Sequence, residues 1–290
     1  MAANTITLPK GFTKALDEVY QAAACTSDLT CDPALVKAGA NVGEILYPQI
    51  SVSGLGDYDR NKGYTSGAID LKWKTAQCNY DRGTKIMVDA MDDQESEKLA
   101  FAMGGAELMR TKVAPEGDAF TFAVIAATEG ISKMEGETFS SAANFLEALI
   151  TAKSKMDNDE VPAENRLLYA TSDLLNWVMG LDTTKSREIL ATFAKKIVVP
   201  QSRFYTAIDM LDGKTKGEEL GHYKKAETAK DINFMIIHKP AVMKYDKHVA
   251  KDIIPASSNA DADGDILKYR KYGLVDVYKN KTAGIYMCTK

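Results

Sequence analysis

Between Ile45 and Trp73 the chain alternates apolar and polar residues on either side of a polar, glycine-punctuated stretch, ISVSGLGDYDRNKGY. Leu46, Pro48, Ile50 and Val52 share one face of a two-residue period, and Ile69, Leu71 and Trp73 alternate with Asp70, Lys72 and Lys74. This pattern predicts a long β-hairpin. Pro48 has no N–H to donate to a ladder, so its strand is expected at a sheet edge. Helical spacing governs other segments. Phe12, Leu16, Val19 and Tyr20 predict a short amphipathic helix after Pro9. The run DDQESEKLAFAMGGAELMRTKV predicts the longest helix: Asp92 and Glu95 form a capping-box pattern, Arg110 and Lys112 suit the C-terminal dipole, and Pro115 is its expected stop. A helix of about twenty residues would be roughly 30 Å long. Gly104 and Gly105 inside it would each cost about 1 kcal/mol relative to alanine, which predicts a close neighbour there.

Phe139, Ala142, Leu146, Leu149 and Ile150 predict a second long helix ending at MDNDEVP. Short elements follow: a buried strand at Leu167–Ala170, a helix capped by Thr171 or Ser172 and stopped by Gly180, and a helix over 186–195. A strand at Ile197–Val199, a polar loop from Asp212 to Lys230 and a strand at Ile232–His238 come next. After the polar run PASSNADADGD, Leu274–Tyr278 and Ala283–Met287 are expected to pair as a hairpin around KNKT. The class is α+β.

Composition narrows the function. With 290 residues, 45% of them hydrophobic, the chain can bury a large core, and its 36 basic against 40 acidic residues give a net charge of −4. That balance argues against tight, sequence-independent binding of nucleic acid, which needs an excess of lysine and arginine. No basic segment followed by a long apolar run opens the chain and no stretch of roughly 18 apolar residues occurs, so a cytosolic, non-membrane protein is expected. Cys25, Cys31, Cys78 and Cys288 lack CxxC spacing and read as reduced thiols.

Candidate chemistry is sparse. Gly54-Leu55-Gly56 lacks the third glycine of a dinucleotide fingerprint and is followed by a strand, and Gly213-Lys214-Thr215 has Ile208 where a phosphate loop needs its first glycine. NADADGD places Asn259, Asp261, Asp263 and Gly264 as in a calcium loop, but position 12 is Arg270 where a bidentate glutamate is required. His222, His238 and His248 are too far apart in sequence for a local metal pair. No catalytic residue, metal ligand or cofactor is predicted.

The order of these stretches, with DRGTKIMVDAMDDQE, RTKVAPEGDAF, VPAENRLLYAT, IVVPQSRFYTAID and DINFMIIHKPAV, resembles the major capsid proteins of tailed bacteriophages, the HK-97-type fold. The resemblance spans about Leu8 to Lys290. It implies an N-terminal arm over 1–44, an extended loop hairpin over 45–80, a peripheral domain with a long spine helix over 81–145 and 246–290, and an axial α/β domain over 146–245. It further implies a structural, non-enzymatic subunit forming pentamers and hexamers of an icosahedral shell around double-stranded DNA, made in the host cytoplasm and ending in the virion. Implied partners are copies of itself, a portal, weakly contacted DNA and, because Met1 lies only about ten residues before the arm helix, a separate scaffolding protein. Asp57, Tyr58, Asp59, Arg60, Lys62 and Trp73 become candidate subunit contacts. The lysine–asparagine cross-link of the type member has donor types in Lys62, Lys72 and Lys74 and acceptor types in Asn259 and Asn280, with no pair singled out. The alternatives are a nanocompartment shell protein of encapsulin type and a soluble ligand-binding protein or enzyme.

Overall fold

The computed structural model describes residues 19–20, 23–31, 37–38, 43–61, 63–91, 99–181, 183–260 and 262–290. Of the predicted N-terminal helix, only Val19 and Tyr20 fall among these, and both are helical. In chain order come strands β1 (Lys37–Ala38), β2 (Glu44–Val52), β3 (Ile69–Gln77) and β4 (Tyr80–Asp89). Helix α1 (Leu99–Leu108) continues through a π turn (Met109–Val113) into α2 (Ala114–Ala127). Then follow β5 (Ser132–Met134), α3 (Ala142–Asn158), β6 (Arg166–Ala170), α4 (Ser172–Gly180), α5 (Thr184–Ala191) and β7 (Lys195–Val198). The chain closes with β8 (Ile208–Met210), β9 (Tyr223–Lys225), β10 (Ile232–His238), β11 (Val242–Ile254), β12 (Gly264–Val277) and β13 (Ile285–Thr289).

The largest sheet has the order β5-β13-β10-β6-β7. Its central strands are apolar on both faces: β6 and β13 are buried at every position and β10 at all but His238. A strand buried on both sides needs a cover on each. One cover is α2, whose Phe122 and Ile125 pack with Tyr169, Met235 and Met287. The other is the layer of α3, α4 and α5, where Phe145, Leu149, Leu175 and Val178 meet Leu168, Phe234 and Ile236. Helix α3 starts where Ser141 accepts the N–H of Asn144. Phe139 precedes the helix and stacks edge-on against Phe145.

A second sheet, β11-β12-β4, carries α1 and the π turn across one face through Met109, Val113, Leu267 and Tyr269. The third, β1-β2-β3, holds the predicted hairpin.

Four expectations are corrected. The long helix does not stop at Pro115: it runs from 99 to 127, about 43 Å at 1.5 Å per residue. Pro115 is tolerated because it falls in the first turn of α2, just after a π turn in which Ala114 donates to Met109, so its missing N–H falls where the regular ladder is already interrupted. The predicted start at Asp92 and Glu95 lies outside the described residues. At Gly104 an added Cβ would meet nothing within 4 Å among them, so no close neighbour explains that glycine. The closing hairpin does not form: β12 pairs with β11 and β4, whereas β13 pairs with β10 and β5. Hydrophobic cover decides this, because a fully buried strand belongs between two layers and not at a sheet edge. The predicted polar loop of 212–230 also contains β9, paired with β8.

Candidate subunit interface

In the β2–β3 hairpin Val52 faces Ile69, Ile50 faces Leu71 and Pro48 faces Trp73. The two apolar rows predicted from the sequence therefore merge into one stripe. No described residue covers it: Ile50 is 60% exposed, Val52 68%, Ile69 75%, Leu71 53% and Trp73 44%. Lys37 extends its ammonium over the Trp73 ring at 4.6 Å, a cation–π contact that leaves the rest of the stripe open. Among the described residues β1 pairs with Ile45 and Leu46 and none pairs with Pro48 on the outer edge of β2, where its missing N–H is tolerated.

The opposite face is used only at the root. Ile45, Tyr47 and Ala76 are buried with Met243 and Leu274, and the Tyr47 ring meets Tyr278 edge-on at 5.1 Å. Asn79, between β3 and β4, extends the ladder with its side chain: Nδ2 donates to the Val275 carbonyl at 2.8 Å and Oδ1 accepts from the Val275 N–H at 3.0 Å. Cys78 donates its N–H to Gly43, whose φ of +84° suits glycine. Sequence reasoning missed these anchors. Gly43 carried a visible turn signal, but nothing in the sequence marks Asn79 as a ladder mimic.

At the tip, Asp59 and Gly63 exchange N–H···O bonds of 3.2 and 2.7 Å, and the Asp59 carboxylate accepts from Asn61 N–H at 2.7 Å. Tyr58 meets Tyr64 edge-on with centroids 4.8 Å apart. Asp57, Tyr58, Asp59 and Arg60 are thus gathered on one exposed tip, about 30 Å of strand away from the root. Trp73 lies apart from them, on the stripe. Lys62 lies outside the described residues. Lys72 is held by Asp70 at 2.5 Å. Gly54 and Gly56 are exposed in the same loop and no helix follows them.

Other motifs are absorbed by local structure. The Asp212 carboxylate takes the N–H groups of Lys214 and Thr215, which holds its pKa down at about 2 and fills the cradle a phosphate would need. In the NADADGD turn, Asn259 donates to the Gly264 carbonyl and Asp265 accepts from Ala256 N–H, while Arg270 is paired with Asp81 at 2.7 Å. Asp261 lies outside the described residues, and among those described no three metal-ligating side chains converge. No described helix is long and apolar enough to cross a membrane. None of the four cysteines is in a disulfide.

Helix α2 carries two buried carboxylates, Glu116 and Asp118. Glu116 receives Arg82 Nε at 2.8 Å and the Tyr80 hydroxyl at 3.1 Å, with His222 Nδ1 at 3.6 Å. Burial alone would raise its pKa, but the pull of these neighbours lowers it. We ascribe most of that pull to Arg82, because 3.6 Å is too long for a hydrogen bond from His222.

No family model matches the chain, and no curated protein matches it in sequence. Solved structures do. A virus-like particle from Pyrococcus furiosus aligns over 98% of this chain and 100% of its own, with TM-score 0.59 and 11% identity. A structure from Mycobacterium phage Cain aligns over 92% and 90%, at TM-score 0.59 and 10% identity. The capsid structure of cyanophage P-SCSP1u aligns over 87% and 85%, at TM-score 0.57 and 12% identity. The chain therefore has the α+β, HK-97-like fold of capsid shell subunits. In this chain it comprises the β2–β3 hairpin, the helical path from Leu99 to Ala127 and the layered α/β unit.

Proposed function

We propose that this protein is the major capsid subunit of a tailed bacteriophage, assembling as pentamers and hexamers into an icosahedral shell around double-stranded DNA. The observation that carries this reading is the exposed stripe from Pro48 and Val52 to Ile69 and Trp73. A two-stranded hairpin is marginal by itself in water, and an open apolar face of this size calls for another surface to cover it. A neighbouring copy supplies that surface. When the hairpin of one copy meets a different patch of the next, the contact is head-to-tail, and it closes into rings or shells. We assign the arm, loop, peripheral and axial parts as the resemblance divides them, with β5 and β13 joining the axial sheet. The tip residues Asp57 to Arg60 then meet the neighbour first. A scaffolding protein, a portal and weak contact with DNA complete the expected partners, and the virion is the final location.

Electron microscopy and native mass of the purified protein, with and without a scaffold, test this reading. Capsomer rings or shells of millions of daltons are expected, and persistent monomers under every assembly condition would refute it. A nanocompartment shell is the second reading, favoured by the end-to-end alignment with the Pyrococcus furiosus particle. Packaged enzyme in native particles, in place of DNA, would decide for it.

A further inference from the structure

Ahead of β1 in the chain, the segment Ala23–Cys31 is gripped by side chains from several separate elements. The Asp118 carboxylate on α2, itself buried, accepts the N–H groups of Cys25 at 2.9 Å and Thr26 at 3.0 Å, together with the Thr26 hydroxyl at 2.6 Å. Its fourth donor is Arg203 Nη1 at 3.0 Å, which also donates to the Ala23 carbonyl at 2.8 Å. On the far side, Lys244 of β11 donates to the Thr26 hydroxyl at 2.6 Å and to the Thr26 carbonyl at 3.1 Å. Lys195 of β7 pairs with Asp28 at 2.6 Å, and Lys271 of β12 reaches the Tyr20 hydroxyl at 3.0 Å.

Among its described residues Ala24 and Leu29 are the buried apolar ones, Leu29 in the main core with Cys25 partly buried beside it, and polar bonds make up most of the docking. Thr26 is the keystone, since it bridges the buried carboxylate and the buried ammonium. Lys244 borders a cleft of about 990 Å³ that the segment lines with Ser27, Asp28 and Thr30, beside Tyr20.

We propose that Ala23–Cys31 is a latch pinned by Asp118: it undocks as a unit while the sheets stay folded, and its undocking uncovers the amine of Lys244. Segments held by few apolar contacts occupy the low end of the local-unfolding scale. A shared carboxylate makes the latch all-or-none, because three donors of the segment, Cys25 N–H, Thr26 N–H and the Thr26 hydroxyl, lose one acceptor together.

Reductive methylation of the full-length protein, read by peptide mass spectrometry, tests the proposal. In Asp118→Asn the amide keeps one acceptor but loses the charge, and Lys244 should be modified about tenfold faster, equivalent to about 1.4 kcal/mol of docking free energy. Hydrogen exchange should accelerate at Cys25 and Thr26 while Tyr169 and Phe234 in the core stay protected. Arg203→Gln, which leaves the Thr26 bonds in place, should move both readouts in the same direction by a smaller factor and serves if Asp118→Asn does not fold. Unchanged Lys244 labelling in these variants would overturn the proposal. So would labelling that rises only together with exchange of the core amides.

Discussion

Leu71→Asp places a charge in the middle of the exposed stripe. The side chain is 53% exposed in the subunit, so the folded monomer loses little by the change, within about 0.5 kcal/mol for a surface substitution. Association is a different matter. Full burial of a leucine or isoleucine is worth roughly 1.5–3 kcal/mol, so covering what remains open on Ile50, Val52, Ile69, Leu71 and Trp73 gives about 6 kcal/mol per hairpin before ordering costs. The substitution removes about 1 kcal/mol of this and adds a carboxylate that must lose water, at roughly 2 kcal/mol or more. At 1.4 kcal/mol per tenfold, each contact weakens about a hundredfold, repeated at every subunit. Thermal unfolding and analytical ultracentrifugation should therefore diverge: a midpoint within about 2 °C of wild type, but no shells. Shells at the wild-type concentration would refute the reasoning. So would a midpoint far below wild type, because it would mean that the stripe is packed within the subunit.

Other perturbations probe the body of the fold. Deleting Gly54 to Gly67 should leave a subunit with wild-type circular dichroism that fails to form shells in electron micrographs. Glu116→Gln strips the buried partner from Arg82 and should cost about 3–5 kcal/mol in denaturant unfolding. Because Glu116 has a lowered folded pKa, its contribution is present above the ordinary carboxylate value of 4.5 and is lost as pH falls through the folded value, so the gap between wild type and the variant should narrow in acid. Lys244 behaves in the opposite chemical sense: burial, then repulsion from Lys271, lowers its pKa from 10.5 to about 8. Between those values the unfolded chain holds a proton that the folded protein lacks, so wild type should gain up to about 3 kcal/mol relative to Lys244→Met as pH rises from 8 to 10.5. A flat difference across that range in urea titrations would contradict the burial of a charged amine there. Gly264→Ala would set a Cβ 2.4 Å from the Val88 carbonyl, against backbone that cannot swing aside. It should destabilise by about 1–3 kcal/mol in the same titrations.

The β2–β3 hairpin, β6 and β10 were legible in the sequence because a two-residue period, or an unbroken apolar run, is a local signal that burial then obeys. The stripe on the hairpin was legible for the same reason, down to the residues that form it. That it stays uncovered in the subunit was not legible, since alternation says which residues share a face and not what lies against it. Strand β4 escaped notice because its half-exposed, charged residues carry little apolar period, and β11 because Lys244 and Asp246 break its apolar pattern.

Long-range competition settled the rest. Leu274–Tyr278 and Ala283–Met287 have the propensity for a hairpin, yet Ile285–Thr289 gains more from burial on both faces between β10 and β5. Pro115 signals a helix end by local chemistry, and the π turn before it lets the spine continue to Ala127. The links among Asp118, Thr26 and Lys244 join positions 92 and 218 residues apart. Local periodicity therefore determined which segments are strands and helices and which apolar faces they present. Partner choice between strands and the pairing of buried charges were decided only by the folded chain, because they depend on energies shared by residues that the sequence keeps far apart.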